Sequence, residues 1–137
     1  MEKIEHIGIA VKNIQEANKV YEALLGTAPY KSEKVESEGV ETSFFRIGES
    51  KIELLEATKP DSPIAKFIEK RGEGVHHIAF SVQNILSEME RLKKEGFILL
   101  NDTPKIGADN KLVAFLHPKS AGGVLVELCQ EINNNEK

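Results

Sequence analysis

The segment Ile4-Glu5-His6-Ile7-Gly8-Ile9-Ala10-Val11-Lys12-Asn13-Ile14 returns as Val75-His76-His77-Ile78-Ala79-Phe80-Ser81-Val82-Gln83-Asn84-Ile85. Without gaps the two agree at His6/His77, Ile7/Ile78, Val11/Val82, Asn13/Asn84 and Ile14/Ile85. A chain that repeats itself builds repeated structural units, so this constraint precedes any local reading. Alternation of period two predicts a strand in each segment. In each strand the histidine shares its face with small residues, Gly8 and Ala10 in the first and Ala79 and Ser81 in the second. The bulky side chains Ile7, Ile9 and Val11, and likewise Ile78, Phe80 and Val82, sit opposite. This pattern predicts an aliphatic face packed on helices and a histidine face lining a space that stays open.

A helix is predicted after both strands. Asn13 and Asn84 are N-cap residue types, and Glu16 occupies the capping-box position after Asn13. Ala17, Val20, Tyr21 and Leu24 form one apolar stripe, and Ile85, Met89 and Leu92 form its counterpart. Gly26 and Gly96 stand where helices stop. Three strands should follow each helix, near residues 30–36, 42–47 and 51–57 and near 98–100, 112–117 and 123–130. A short helix is expected over 62–70, and the acidic, Asn-rich stretch 131–137 reads as a frayed tail. Each half is therefore βαβββ: repeat 1 at 3–58, repeat 2 at 74–131, linker 59–73, all within one domain spanning 1–137. The last strands align as Lys51-Ile52-Glu53-Leu54-Leu55 against Leu125-Val126-Glu127-Leu128-Cys129. The offset is 71 residues on the histidines and 74 on the glutamates, a difference that loop length absorbs.

Bulk properties narrow the class. A net charge of −4 argues against a nucleic-acid surface, which carries a basic excess. Cys129 is the single cysteine, so no internal disulfide framework exists and a reducing compartment fits. No apolar run approaches the roughly 20 residues of a membrane helix, and the chain enters its first strand with no room for a signal peptide. The expectation is a soluble, cytoplasmic protein with no membrane partner.

The repeat supplies four matched residues: His6, Glu53, His77 and Glu127. A lone strand histidine is ordinarily a satisfied structural residue, and a lone strand glutamate ordinarily faces water. Two matched histidines and two matched acids ask more of coincidence and point to a metal site. Two imidazoles and two carboxylates suit an octahedral divalent ion with two positions open, and accept Co²⁺, Mn²⁺, Ni²⁺, Fe²⁺ or Zn²⁺ with little selection. Register with His6 selects His77 over His76, whose face is the aliphatic one. His117, at a strand end in Leu116-His117-Pro118-Lys119, is a candidate for substrate contact. Cys129 falls on the face of Glu127 if its strand is regular, but a thiolate ligand without a second cysteine is not expected.

These residues resemble the vicinal oxygen chelate superfamily of glyoxalases, bleomycin resistance proteins and dioxygenases. That resemblance implies an α+β fold in which two βαβββ modules form a half-open mixed β-barrel around a metal. Within it, over residues 3–130, the chain is most similar to the methylmalonyl-CoA epimerases. The matching phrases are His6-Ile7-Gly8-Ile9-Ala10-Val11, Ile52-Glu53-Leu54-Leu55, Gly72-Glu73-Gly74-Val75-His76-His77-Ile78-Ala79-Phe80, Pro104-Lys105-Ile106-Gly107-Ala108 and Phe115-Leu116-His117-Pro118-Lys119 leading to Gly122-Gly123-Val124-Leu125-Val126-Glu127-Leu128. The first phrase is common to the superfamily, and the last three together are the specific ones. The resemblance implies metal ligands His6, His77 and Glu127, with Glu53 where members carry Gln or Glu, and Co²⁺ as the first expectation for the ion. It implies interconversion of the (2R) and (2S) epimers of methylmalonyl-CoA through a metal-stabilised enolate, with bases on its two faces. Glu127 is the candidate for one base. For the other, Gly39-Val40-Glu41-Thr42 places Thr42 where a family member has glutamate, with Glu41 one residue early. Glu41 is the candidate, though a one-residue shift turns a strand side chain to the other face, and a metal-bound water is the alternative. Lys119 is the candidate contact for the acyl carboxylate or the CoA phosphates. The implied partner is an acyl-CoA, and the implied assembly a homodimer.

Three other functions stay open on these residues. Glyoxalase I uses the same ligand types and related enediolate chemistry. An extradiol dioxygenase uses two histidines and one glutamate, commonly in longer chains. A metal-free binding or resistance protein would have no need of all four polar positions.

Overall fold

A computed structural model describes residues 1–132 of the 137. Its elements run β1 (Lys3–Ala10), α1 (Ile14–Leu25), β2 (Lys31–Val35), β3 (Val40–Ile47), β4 (Ser50–Ala57), α2 (Pro63–Arg71), β5 (Gly74–Ser81), α3 (Ile85–Lys94), β6 (Lys105–Gly107), β7 (Lys111–Leu116) and β8 (Val126–Glu131). The chain divides into two compact units, one spanning His6–His76 and the other joining Met1–Glu5 to the chain from His77 onward. The strand order is β2-β3-β4-β1 in the first half of the chain and β5-β8-β7-β6 in the second. Each half is thus βαβββ with the first strand parallel to the last, β1 to β4 and β5 to β8. No helix among the described residues is long and apolar enough to cross a membrane.

The helix starts repeat in atomic detail. The Asn13 and Asn84 side chains accept from the backbone N–H groups of Glu16 and Ser87 at 3.0 and 2.9 Å. A second acceptor comes from the end of the partner strand in each unit. Glu56 Oε1 takes the N–H of Ile14 at 2.7 Å, and Gln130 Oε1 takes that of Ile85 at 2.8 Å. Two of the donors each helix leaves unpaired at its start are thereby satisfied. Ser62 caps α2 in the same way through Ala65, with Pro63 at the first helical position.

Packing follows the alternation. Ile14, Ala17, Tyr21 and Leu25 of α1 lie over Ile9, Val11, Phe45, Ile52 and Leu54. In the other unit Ile85, Met89 and Leu92 of α3 lie over Ala114, Leu116, Val126 and Leu128. The aliphatic faces therefore meet helices, as the sequence predicts. On the opposite face of the first sheet, Ile64 of α2 covers Ala10, Val40 and Leu55. The histidine face is accordingly closed at its Ala10 end, where an open surface was expected.

Three expectations are corrected. The inward stripe of α1 is the buried Ile14 with half-buried Ala17, Tyr21 and Leu25; Val20 and Leu24 are 61% and 69% exposed, because the chain enters the helix with Ile14 turned inward. The strand expected near 98–100 is a single bridge, Leu99 to Leu116, and the regular strand there is Lys105–Gly107. Glu131 belongs to β8, paired with Lys111, and the Ile132 N–H donates to the Asn110 carbonyl, so neither is part of a frayed tail; residues 133–137 lie outside the described residues.

These contacts predict unequal costs for two truncations. Phe45→Ala empties a fully buried site and should lower stability by about 3–5 kcal/mol. Leu24→Ala should change it by no more than about 0.5 kcal/mol. Urea unfolding of the two variants followed by circular dichroism measures the difference.

Candidate functional site

In the first unit the parallel register sets His6 beside Lys51, Gly8 beside Glu53 and Ala10 beside Leu55. Residues paired across a ladder share a face, so His6 and Glu53 project from the same side of adjacent strands. His6 Nδ1 lies 3.1 Å from Glu53 Oε2, with side chains only 5% and 7% exposed. In the second unit Ala79 stands beside Glu127, which brings His77 to the same side. Here His77 Nε2 lies 2.9 Å from Glu127 Oε1, again with both side chains buried. Polar groups survive burial only with partners, and each histidine–carboxylate pair supplies its own.

The donor chemistry fits a divalent ion. Neighbouring ligand atoms on an octahedral ion with bonds of about 2.1 Å lie about 3.0 Å apart, and each pair already holds that spacing. Nitrogen with oxygen suits Co²⁺, Mn²⁺, Ni²⁺, Fe²⁺ or Zn²⁺, not the all-oxygen preference of Ca²⁺ or Mg²⁺.

The two pairs differ in one neighbour. Cys129 shares the face of Glu127, as expected, and its thiol donates to Glu127 Oε2 at 2.9 Å. Glu127 therefore has each oxygen engaged, one toward His77 and one toward Cys129. The residue equivalent to Cys129 in the first unit is Leu55, which packs on α2 instead.

Two aromatic residues escaped the sequence reading. Phe44 pairs across from Glu53 and Phe115 across from Glu127. Phe44 is fully buried, and the Phe115 ring meets His77 edge-on at 6.1 Å. Their separation is the same 71 residues that relates the histidines. The signal was there, but the middle strands share too few identities around it to show as a repeat.

The other candidates scatter. Glu41 pairs with Glu56, whose carboxylate turns to the start of α1, while Thr42 pairs with Leu55 on the face of Glu53. Glu41 thus lies on the opposite side of β3 from His6 and Glu53, the one-residue flip that its position threatened. His76 sets its ring against Phe67 at 4.9 Å, on the face away from His77. His117 caps the short 3₁₀ turn Pro118–Ser120, its Nδ1 accepting from the Lys119 N–H at 3.0 Å. The Lys119 side chain is exposed.

Residues 5–115 match the Glyoxalase/Bleomycin resistance protein/Dioxygenase superfamily, and the chain belongs to it. Similar proteins span nearly the whole chain. An ethylmalonyl-CoA/methylmalonyl-CoA epimerase of Cereibacter sphaeroides is 41% identical, covering 93% of this chain and 97% of its own length. The uncharacterized protein YqjC of Bacillus subtilis is 42% identical over 95% and 93% of the two chains. Among solved structures, a Streptomyces coelicolor methylmalonyl-CoA epimerase variant in complex with 2-nitronate-propionyl-CoA superposes with a TM-score of 0.93 at 34% identity, covering 97% of this chain and 99% of that one. The α+β fold of paired βαβββ modules is that of the superfamily.

The buried thiol yields a direct check. Cys129 is 1% exposed, so Ellman's reagent should titrate no thiol in the native protein and one per chain in guanidinium. Rapid labelling of the folded protein would contradict this placement.

Proposed function

We propose that the protein is a metal-dependent epimerase that interconverts the (2R) and (2S) forms of methylmalonyl-CoA, with His6, Glu53, His77 and Glu127 holding one divalent ion, Co²⁺ by first preference. The observation that carries the reading is the pair of buried histidine–glutamate couples at repeat-equivalent positions, each at the donor spacing of an octahedral ion. Relatives of nearly the same length are epimerases, which supports the reaction class and the acyl-CoA substrate. The protein is an isomerase of the epimerase type.

The chemical problem is a C2 proton flanked by a thioester and a carboxylate. When bound, the ion supplies Lewis-acid stabilisation of the negative charge that develops on the substrate oxygens. Glu127 is the proposed base for one face of C2. Its two oxygens allow a division of labour, with Oε1 beside His77 and Oε2 beside the Cys129 thiol. As Oε2 takes the proton, the C–H electron pair stays with the substrate as an enolate and the thiol turns away. Phe44 and Phe115 keep bulk water from the carboxylates beside them, which strengthens the electrostatics of the site. His117 and Lys119 are proposed to meet the substrate where the short turn after β7 reaches the surface. The working assembly is proposed to be a homodimer, so sedimentation should report about twice the 15.2 kDa chain mass.

The test is incorporation of solvent deuterium at C2 of methylmalonyl-CoA, with the hemithioacetal of glutathione and methylglyoxal as competing substrate. Chelation should abolish exchange and Co²⁺ should restore it. His77→Ala should weaken Co²⁺ binding by more than about 100-fold, read by metal analysis after dialysis. Turnover of the hemithioacetal alone, or full exchange after rigorous removal of divalent ions, would contradict the proposal.

A further inference from the structure

Epimerisation needs proton transfer on both faces of C2, and the displacement of Glu41 leaves one face unserved. The register of the first unit shows which side chains share the surface of His6 and Glu53. Across β3 this surface carries Val40, Thr42 and Phe44, paired with Ala57, Leu55 and Glu53 of β4. Across β2 it carries Val35, Glu33 and Lys31, paired with Val40, Thr42 and Phe44. The contacts agree with this assignment: Val35 joins the cluster under α2, and the Lys31 ammonium sits over the Phe44 ring at 5.3 Å. Glu53 and Glu33 are therefore the carboxylates that β1 to β4 present on this side within the unit.

Thr42 occupies the position where a carboxylate base was sought, but its hydroxyl cannot take a proton from carbon near neutral pH. Glu33 stands directly across the ladder from it. Two strands and one pleat repeat separate the Cα atoms of Glu33 and Glu53, about 12 Å in a flat sheet. Both side chains project from the same surface, on which Thr42 and Phe44 of β3 lie between them. The Glu33 side chain is 34% exposed and lies 3.5 Å from Lys31, so it can exchange its proton with solvent between turnovers.

We propose that Glu33 is the second catalytic base, moving the C2 proton on one face while Glu127 serves the other; this rests on the epimerase reading above. In one direction the Glu33 carboxylate takes the proton and becomes a carboxylic acid. The C–H electron pair remains on the substrate as the enolate, and the protonated Glu127 then delivers its proton to the opposite face. The reverse reaction exchanges the two roles, and no other reactant is consumed.

The experiment compares wild type with Glu33→Gln, both loaded with Co²⁺, using the (2R) and (2S) epimers each carrying deuterium at C2. Epimerisation should fall 100-fold or more in the variant, within the range expected for losing a general base. Wash-out of deuterium should collapse for one epimer and stay within tenfold of wild type for the other, because the remaining base still works on its own face. That asymmetry is a readout that a structural role would not produce. Metal content and melting temperature should be unchanged. If Glu33→Gln fails to fold, Glu33→Asp keeps the charge beside Lys31 while withdrawing the carboxylate by one methylene, and should lower kcat at least tenfold with KM unchanged. Epimerisation by either folded variant within tenfold of wild type, or equal loss of wash-out from both epimers, overturns the role of Glu33 and leaves the epimerase reading standing. A wild-type enzyme inert toward methylmalonyl-CoA overturns that reading, and the role of Glu33 with it.

Discussion

The parallel register of the first and last strand of each unit is the constraint on which everything else depends. It places Gly8 beside Glu53 and Ala79 beside Glu127, and so makes a histidine and a carboxylate neighbours where water is excluded. A slip of one residue in β4 would drive Glu53 into the apolar layer beneath α1 and turn Leu54 toward His6. Either change leaves a buried polar group unpaired, at a cost of several kcal/mol. The same register puts Leu54 and Leu128 under their helices, so the core and the polar pairs enforce one another.

Burial gives the pairs their chemical value. A surface histidine and glutamate would be hydrated, mobile and weak as a donor set. Here side chains less than 9% exposed are held at 3.1 and 2.9 Å, the spacing an octahedral ion asks of adjacent ligands. Strand pairing and helix packing hold these side chains in place, so the fold itself carries much of the entropy cost of ordering them. The units then diverge: Cys129 binds Glu127 through its second oxygen, whereas Leu55, its counterpart, belongs to the hydrophobic layer under α2. One carboxylate is thereby distinguished from the other on a symmetric scaffold.

Much of this was legible in the chain. The repeated strand, the asparagine caps, the α3 stripe Ile85, Met89 and Leu92, and the matching of His6 to His77 and of Glu53 to Glu127 all follow from period and offset. What failed did so for local reasons. Val20 and Leu24 satisfy helical spacing as well as Tyr21 and Leu25 do, and only the direction in which Ile14 enters the helix decides between the two stripes. Leu99 looks like a strand residue but finds a single bridge, while Lys105–Gly107, with little apolar character, completes the edge.

By itself the sequence determined the duplication, the strand faces and the four residues matched between halves, because side-chain direction in a strand repeats every two residues and needs no knowledge of neighbours. Only the tertiary structure decided which acids share a surface with them. Glu41 and Glu33 are both glutamates in adjoining strands, equally plausible on paper. Their sides depend on the antiparallel pairing of β2 with β3 and of β3 with β4, which carries Glu41 toward Glu56 and Glu33 toward Thr42. Cross-strand register is a relation between distant segments, set by the turns and the packing that join them, and no single segment encodes it.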